Sequence, residues 1–307
     1  MTADTLIALV GAFALHAMRE SSLPQAAVYP LPIVKTVGST APQRKEGASL
    51  GVEVSARAAI VMDVESGAIL FEKNADEVLS VASLTKLVTA MTFLDQHPDL
   101  TQVMSIKNED DGEIGGTVFK ADEILKTSDV FDSMLVGSVN ESANALARVS
   151  LGREAFVIAM NKKAESLGMR GARFVDPAGL GSQNMATARD IAIALKAASA
   201  YPEIRDGMAK PSLSLSGTVN PKGYKIKSTN LLLATDMNRK PYKIVAAKSG
   251  TLPEAGYCFA QITEGPDGHR VISIVLNDDA HLTRFQDVKA LTYWAFRSFD
   301  WSHATRS

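Results

Sequence analysis

The spacing of apolar and polar positions divides this chain into regions before any motif is considered. Residues 58–64, Ala-Ala-Ile-Val-Met-Asp-Val, are almost continuously apolar and rich in β-branched side chains, as a buried strand requires. Glu65-Ser66-Gly67 supplies a turn, and residues 68–73 return as a second strand, so the pair predicts a β-hairpin. Over residues 84–96 the apolar positions recur with helical spacing and stop at His97-Pro98. The middle of the chain stays helical, over 130–136, 141–151, 154–167 ahead of Gly168, and 187–200 with Thr187 as N-cap. Strand-like runs return at 242–248, 257–263 and 270–277, and residues 285–299 close the pattern as an amphipathic helix. Strands at both ends, helices between them and a final helix predict an α+β fold with an antiparallel sheet covered by helices.

Ahead of the hairpin the pattern changes. Residues 6–15 are apolar and uncharged, the length of a signal-peptide core and too short to span a bilayer unaided. Asp4 precedes them and no lysine or arginine does, which departs from a signal peptide. A surface-associated helix is the alternative. Residues 23–51 are rich in Pro, Ala, Ser and Thr without periodicity. The expected organisation is a signal-like or anchoring segment over 1–22, a linker over 23–55, one folded domain over 56–302 and a short tail over 303–307. Such a leader implies a periplasmic or otherwise extracytoplasmic location, by export through that segment or anchoring by it.

Composition narrows the function classes. The 307 residues, 46% of them hydrophobic, suffice for a full core. A net charge of −2 gives no electrostatic reason to expect a nucleic-acid partner. The single cysteine, Cys258, excludes an intrachain disulfide and reads as a buried structural thiol within a strand. The five histidines show no metal-ligand spacing, and His281 reads as a solvated loop residue, so neither metal nor cofactor is expected.

Candidate chemistry lies in three segments. Ser83-Leu84-Thr85-Lys86 is the only Ser-x-x-Lys in the chain and opens a predicted helix. A serine hydroxyl is a poor nucleophile until a base takes its proton. A lysine three residues on shares its helix face and can be that base. Ser138-Val139-Asn140 follows in a helix-to-helix connection, and Lys248-Ser249-Gly250 ends a predicted strand ahead of Thr251. Ser-x-Asn alone is weak, since the chain has four, but the order of the three segments and the element under each are specific.

The three segments together resemble those of the D-alanyl-D-alanine carboxypeptidases and endopeptidases, the low-molecular-mass penicillin-binding proteins. Residues 119–122, 140–147, 174–180 and 187–190 add to the likeness, as does Lys248-Ser249-Gly250-Thr251 followed by Glu254-Ala255-Gly256-Tyr257. The resemblance implies a β-lactamase/transpeptidase-like fold, an antiparallel sheet flanked by N- and C-terminal helices plus a mostly helical subdomain. It implies Ser83 as nucleophile, Lys86 as base with Lys248 as the cation that helps neutralise it, and Ser138 as relay to the leaving amine. Asn140 would hold the substrate amide, and the N–H groups of Ser83 and Thr251 would form an oxyanion hole. Ser249, Gly250 and Thr251 would line a peptide-binding strand edge, and Arg284 would meet the substrate's terminal carboxylate. Val139 and Glu141 depart from the commonest Ser-Gly-Asn-Asp pattern, and Ser249 stands where threonine is usual.

The expected function is a serine DD-peptidase acting on peptidoglycan stem peptides or cross-links through a Ser83 acyl-enzyme. β-Lactam antibiotics would be its covalent inhibitors. Endopeptidase activity is slightly favoured over carboxypeptidase, because the sequence ends soon after its last helix without a trailing β-domain. The alternatives are a β-lactamase or esterase on the same scaffold, or a muropeptide-binding protein without catalysis. No Glu-x-x-Leu-Asn segment lies between Ser138 and Lys248, so slow deacylation of penicillin is expected. Membrane association would run through the N-terminal segment.

Overall fold

The structure, a computed structural model, describes residues 41–111 and 116–301. The apolar segment, most of the linker and the tail lie outside the described residues, as would an N-terminal flanking helix. No helix among the described residues is long and apolar enough to cross a membrane.

The predicted hairpin forms as Ala58–Asp63 (β1) and Ile69–Lys73 (β2). A 3-10 turn, Ala82–Thr85, leads into Lys86–Leu94 (α1). Helices Thr127–Val136 (α2), Asn140–Ser150 (α3), Arg153–Ser166 (α4), Ala188–Ala198 (α5) and Pro202–Ala209 (α6) follow. A small hairpin, Ser212–Leu215 (β3) and Tyr224–Lys227 (β4), precedes Lys243–Leu252 (β5), Gly256–Glu264 (β6), Arg270–Asp278 (β7) and the closing helix Thr283–Ser298 (α7).

The main sheet has five antiparallel strands in the order β5-β6-β7-β1-β2, with Val271 opposite Asp63 where β7 meets β1. Both faces of β1 are covered, which is why its sequence shows no polar alternation. Ala59 and Val61 pack with Val275, Phe285 and Leu291 on the α7 side. Ala58 and Ile60 join Leu87, Met91 and Ile274 on the other, in the larger core shared with the helices. β5 is the terminal strand, so its outer edge pairs with no other strand of that sheet.

Thr187 caps α5 as expected: its Oγ1 accepts from Asp190 N at 2.9 Å, and Asp190 Oδ2 accepts from Thr187 N at 3.0 Å. Among the elements not anticipated are α6 and the β3–β4 hairpin. α6 is short and follows its neighbour closely, with Pro202 at its first turn. The β3–β4 hairpin depends on distant Glu123, whose buried carboxylate accepts from Thr218, Val219, Asn220 and Tyr224. The linker reading needs correction over residues 41–55. Gln43–Arg44 pairs with Phe299–Asp300, Val54 is buried, and Asp287 on α7 accepts from Ser55 N and Ala56 N at 2.8 and 3.1 Å. Small polar residues obscured this, because the segment is held by backbone bonds and single anchors and has no apolar period.

Candidate active site

Ser83 sits half-buried in the 3-10 turn that precedes α1. That turn is clasped from two sides. Gly179 has φ +76°, and a Cβ there would lie 2.1 Å from Ala82 O; a Cβ on Gly250 would lie 2.8 Å from Val81 O and 3.1 Å from Ser83 N. Only glycine admits both approaches. Two other residues hold left-handed backbone that their side chains disfavour, Ala82 at φ +46° and Ser138 at φ +59°. Each such conformation costs about 1–3 kcal/mol and persists where surrounding structure imposes it, often at functional sites.

Lys86 follows one turn after Ser83 and is completely buried. Its Nζ lies 2.9 Å from Ser83 Oγ and donates to Asn140 Oδ1 at 2.8 Å and to Ala178 O. The two carbonyl oxygens can only accept. A neutral amine has two hydrogens and one lone pair. With both hydrogens on Asn140 and Ala178, the lone pair faces the Ser83 hydroxyl. Burial is the main force on this lysine and lowers its pKa to about 7, against the opposing pull of the Asp176 and Glu141 carboxylates. Partial burial and the Lys248 cation were both expected to neutralise it; burial is the effect that lowers the Lys86 pKa, and the cationic neighbours weigh on Lys248.

Lys248 is also buried, and its Nζ donates to Ser138 Oγ at 2.7 Å and to Ser249 O at 2.9 Å. Burial first, then the positive charges of Lys86 and Arg284, push its pKa well below the ordinary lysine value. Ser138 lies in the connection between α2 and α3, and Asn140 is the first residue of α3. Lys248, Ser249 and Gly250 lie within β5, which runs on to Leu252, so the motif does not end its strand.

Thr251 is exposed at the tip of β5. Arg284 does not stand free beside it. It is buried at the start of α7 and donates from Nη1 to Thr251 Oγ1 at 2.8 Å, to Gly250 O at 2.9 Å and to Cys258 O at 3.4 Å. It thus braces the β5 tip, and because it donates to Thr251 Oγ1, the Thr251 hydrogen is left to point elsewhere. Cys258 is buried, with its thiol pushed up to about 11 by burial, as an inert structural thiol should be. Among the described residues no group of His, Cys, Asp or Glu could hold a metal ion.

Sequence reasoning missed three contributors. Asp176 gathers the turn after it: Oδ1 accepts from the N–H groups of Ala178, Gly179 and Leu180, and Oδ2 from Gly181 N and Asn184 Nδ2. This turn aims Ala178 O at Lys86. Glu141 is buried beside Asn140 and accepts from the backbone of Val118 and Phe119. Thr229 Oγ1 accepts from Ser249 Oγ at 2.8 Å. The run Asp176-Pro177-Ala178-Gly179-Leu180 was a usable signal, since an Asp two to five residues before backbone donors is a turn former. Glu141 stands out in the sequence only as a departure from the usual motif, and nothing there marks Thr229.

Comparison with known proteins identifies the family. The family described as D-alanyl-D-alanine carboxypeptidase (peptidase S11) matches residues 41–280. The chain is 33% identical over 268 residues to a D-alanyl-D-alanine endopeptidase of Pseudomonas aeruginosa, covering 85% of this chain and 84% of that one. It is 28% identical over 270 residues to a D-alanyl-D-alanine endopeptidase of Escherichia coli, covering 86% and 83%. Among solved structures, penicillin-binding protein D2 of Listeria monocytogenes in its cefotaxime-bound form aligns with a TM-score of 0.70 and 31% identity, over 80% of this chain and 99% of that one.

Proposed function

The chain belongs to the D-alanyl-D-alanine carboxypeptidase family of serine peptidases, and on that footing we propose that it cleaves D-alanyl peptide bonds of peptidoglycan through an acyl-enzyme on Ser83. One observation carries this reading: Lys86 Nζ lies 2.9 Å from Ser83 Oγ, in a pocket where burial favours the neutral amine. Ser83 Oγ attacks the carbonyl carbon of the D-alanine on the acyl side, and its proton passes to Lys86. The tetrahedral oxygen is received by the N–H groups of Ser83 and Thr251, each contributing about 3 kcal/mol of barrier lowering. Collapse breaks the C–N bond, and the leaving amine takes a proton through Ser138, which Lys248 holds in place. Asn140 fixes Lys86 and faces the substrate amide. Water then attacks the ester, returning Ser83 and releasing the shortened peptide.

Ser249, Gly250 and Thr251 line the unpaired edge of β5, where an extended peptide docks by strand addition. Arg284 acts on the substrate through Thr251. The endopeptidase names of the P. aeruginosa and E. coli relatives support cross-link cleavage over removal of a terminal D-alanine. The cefotaxime-bound Listeria structure supports β-lactams as covalent inhibitors. The substrate places the working enzyme at the bacterial cell wall, reached by export through residues 1–22 or held at the membrane by them. Mass analysis of products from defined muropeptides tests the function. Monomers released from cross-linked dimers are expected, with less free D-alanine from pentapeptide; no hydrolysis of either by folded protein overturns the reading.

A pH dependence follows from Lys86. Its pKa in the fold is depressed to about 7, so the base form prevails above that value and is lost as pH falls through it. The second-order rate of Ser83 acylation should therefore rise about tenfold per pH unit on the acid side and level off above pH 7 or so. A rate that stays flat through this window would exclude Lys86 as the titrating base.

A further inference from the structure

Thr229 stands where the β3–β4 hairpin meets the site. Its hydroxyl receives the Ser249 hydrogen bond at 2.8 Å, and its backbone N–H donates to Val136 O at 3.1 Å. Val136 ends α2, two residues before Ser138, and Ser249 follows Lys248, so Thr229 ties one wall of the site to the other. Its own backbone is held on both sides. Asn230 is buried and its Oδ1 accepts from Leu232 N at 3.0 Å. Upstream, Ile226 packs so closely that a Cβ on Gly137 would lie 2.3 Å from its Cγ2.

The side chain at 249 makes this tie consequential. A threonine has a branched β-carbon that restricts χ1, whereas a serine rotates among three staggered wells. Here the bond to Thr229 selects the well. It also sets the direction of a hydrogen. A Ser249 hydroxyl that has given its hydrogen to Thr229 offers only lone pairs to a ligand, and these repel an anion. Rotation of both hydroxyls reverses the bond: Thr229 donates to Ser249 Oγ, and the Ser249 hydrogen becomes available to a carboxylate. No covalent bond changes.

We infer that Thr229 is a positioning residue for substrate recognition, holding Ser249 in one rotamer and donating to it when Ser249 donates to the carboxylate beside the scissile amide. The inference rests on the reading that Ser249 and Thr251 line the subsite for that carboxylate.

The test compares acylation of Ser83 by a penicillin and by its methyl ester, followed by intact mass. Thr229→Val keeps the shape and removes the hydroxyl. It should slow acylation by the free acid roughly tenfold, the weight of about one neutral hydrogen bond, and leave the ester rate unchanged. Thr229→Ser should restore the wild-type preference for the acid. Thr229→Ala should give the same selective loss if the valine variant fails to fold. Equal slowing for acid and ester would show that Thr229 only supports the fold, and no slowing would show that Ser249 needs no partner; either overturns the inference. Wild-type protein that takes acid and ester alike would remove the carboxylate subsite itself, and the inference with it.

Discussion

Ser83→Ala leaves a folded protein that forms no penicillin adduct and cleaves muropeptides at least about 10⁴-fold more slowly than the wild type. The loss is large because Ser83 Oγ is the hydroxyl that lies 2.9 Å from Lys86 Nζ. Removing the nucleophile of a catalytic unit removes most of what its partners contribute as well. The fold should survive. Ser83 contributes only the bond to Lys86 and a long 3.4 Å bond to Ala178 O, and Lys86 keeps Asn140 and Ala178 as partners when the hydroxyl goes. The flanking Ala82, Leu84 and Thr85 are buried and hold the turn regardless. Melting curves and intact-mass measurements on the same samples separate the two effects. An adduct on the alanine variant would place the nucleophile elsewhere.

Lys86→Arg should be nearly as damaging and is the sharper test of mechanism. General-base catalysis contributes about 10²–10⁴-fold, and arginine does not lose its proton at any working pH. The rate should therefore fall by about 10³-fold and not recover in alkali. A charge-only role for Lys86 makes the opposite prediction, because a guanidinium between Asp176 and Glu141 keeps the positive charge there. Lys86→Met provides the companion measurement. It removes the amine, keeps most of the apolar stem, and places an uncharged side chain where burial already disfavours an ion. Activity should be lost while thermal stability holds. Retained activity in the arginine variant with loss in the methionine variant would convert the base into an electrostatic stabiliser.

Much of the fold was legible because its helices and strands carry their own periods. The hairpin at β1 and β2, the capped α5 and the amphipathic α7 each follow from local pattern. The β3–β4 hairpin was not legible, because Ser-Leu-Ser-Leu and Tyr-Lys-Ile-Lys are short, weakly apolar alternations whose turn is fixed by Glu123, far away in sequence. The site divides in the same way. Ser83, Lys86, Ser138, Asn140 and Lys248 could be singled out by chemistry and order, and the structure joins them in two hydrogen-bonded groups, Lys86 with Ser83 and Asn140, and Lys248 with Ser138. Their surroundings could not be foreseen. Asp176 acts through backbone amides, Glu141 through burial beside Lys86, and Thr229 through a single hydroxyl. None of these has a sequence period, and each depends on a partner about twenty or more residues away or on the path of a loop. Arg284 shows the limit of a resemblance, since its position was anticipated and its engagement with Gly250 O and Thr251 Oγ1 was not.

The pairing of β1 with β7 has a consequence for how the protein is made. β1 leaves the ribosome early, and its central neighbour is among the last segments to be translated. Until then the first hairpin has one unsatisfied edge and no partner to close it, and contacts so distant in sequence form slowly. The nascent chain therefore cannot lock into its final form while most of it is being synthesised. On the export route proposed above, that delay would keep the polypeptide threadable until translation is nearly complete.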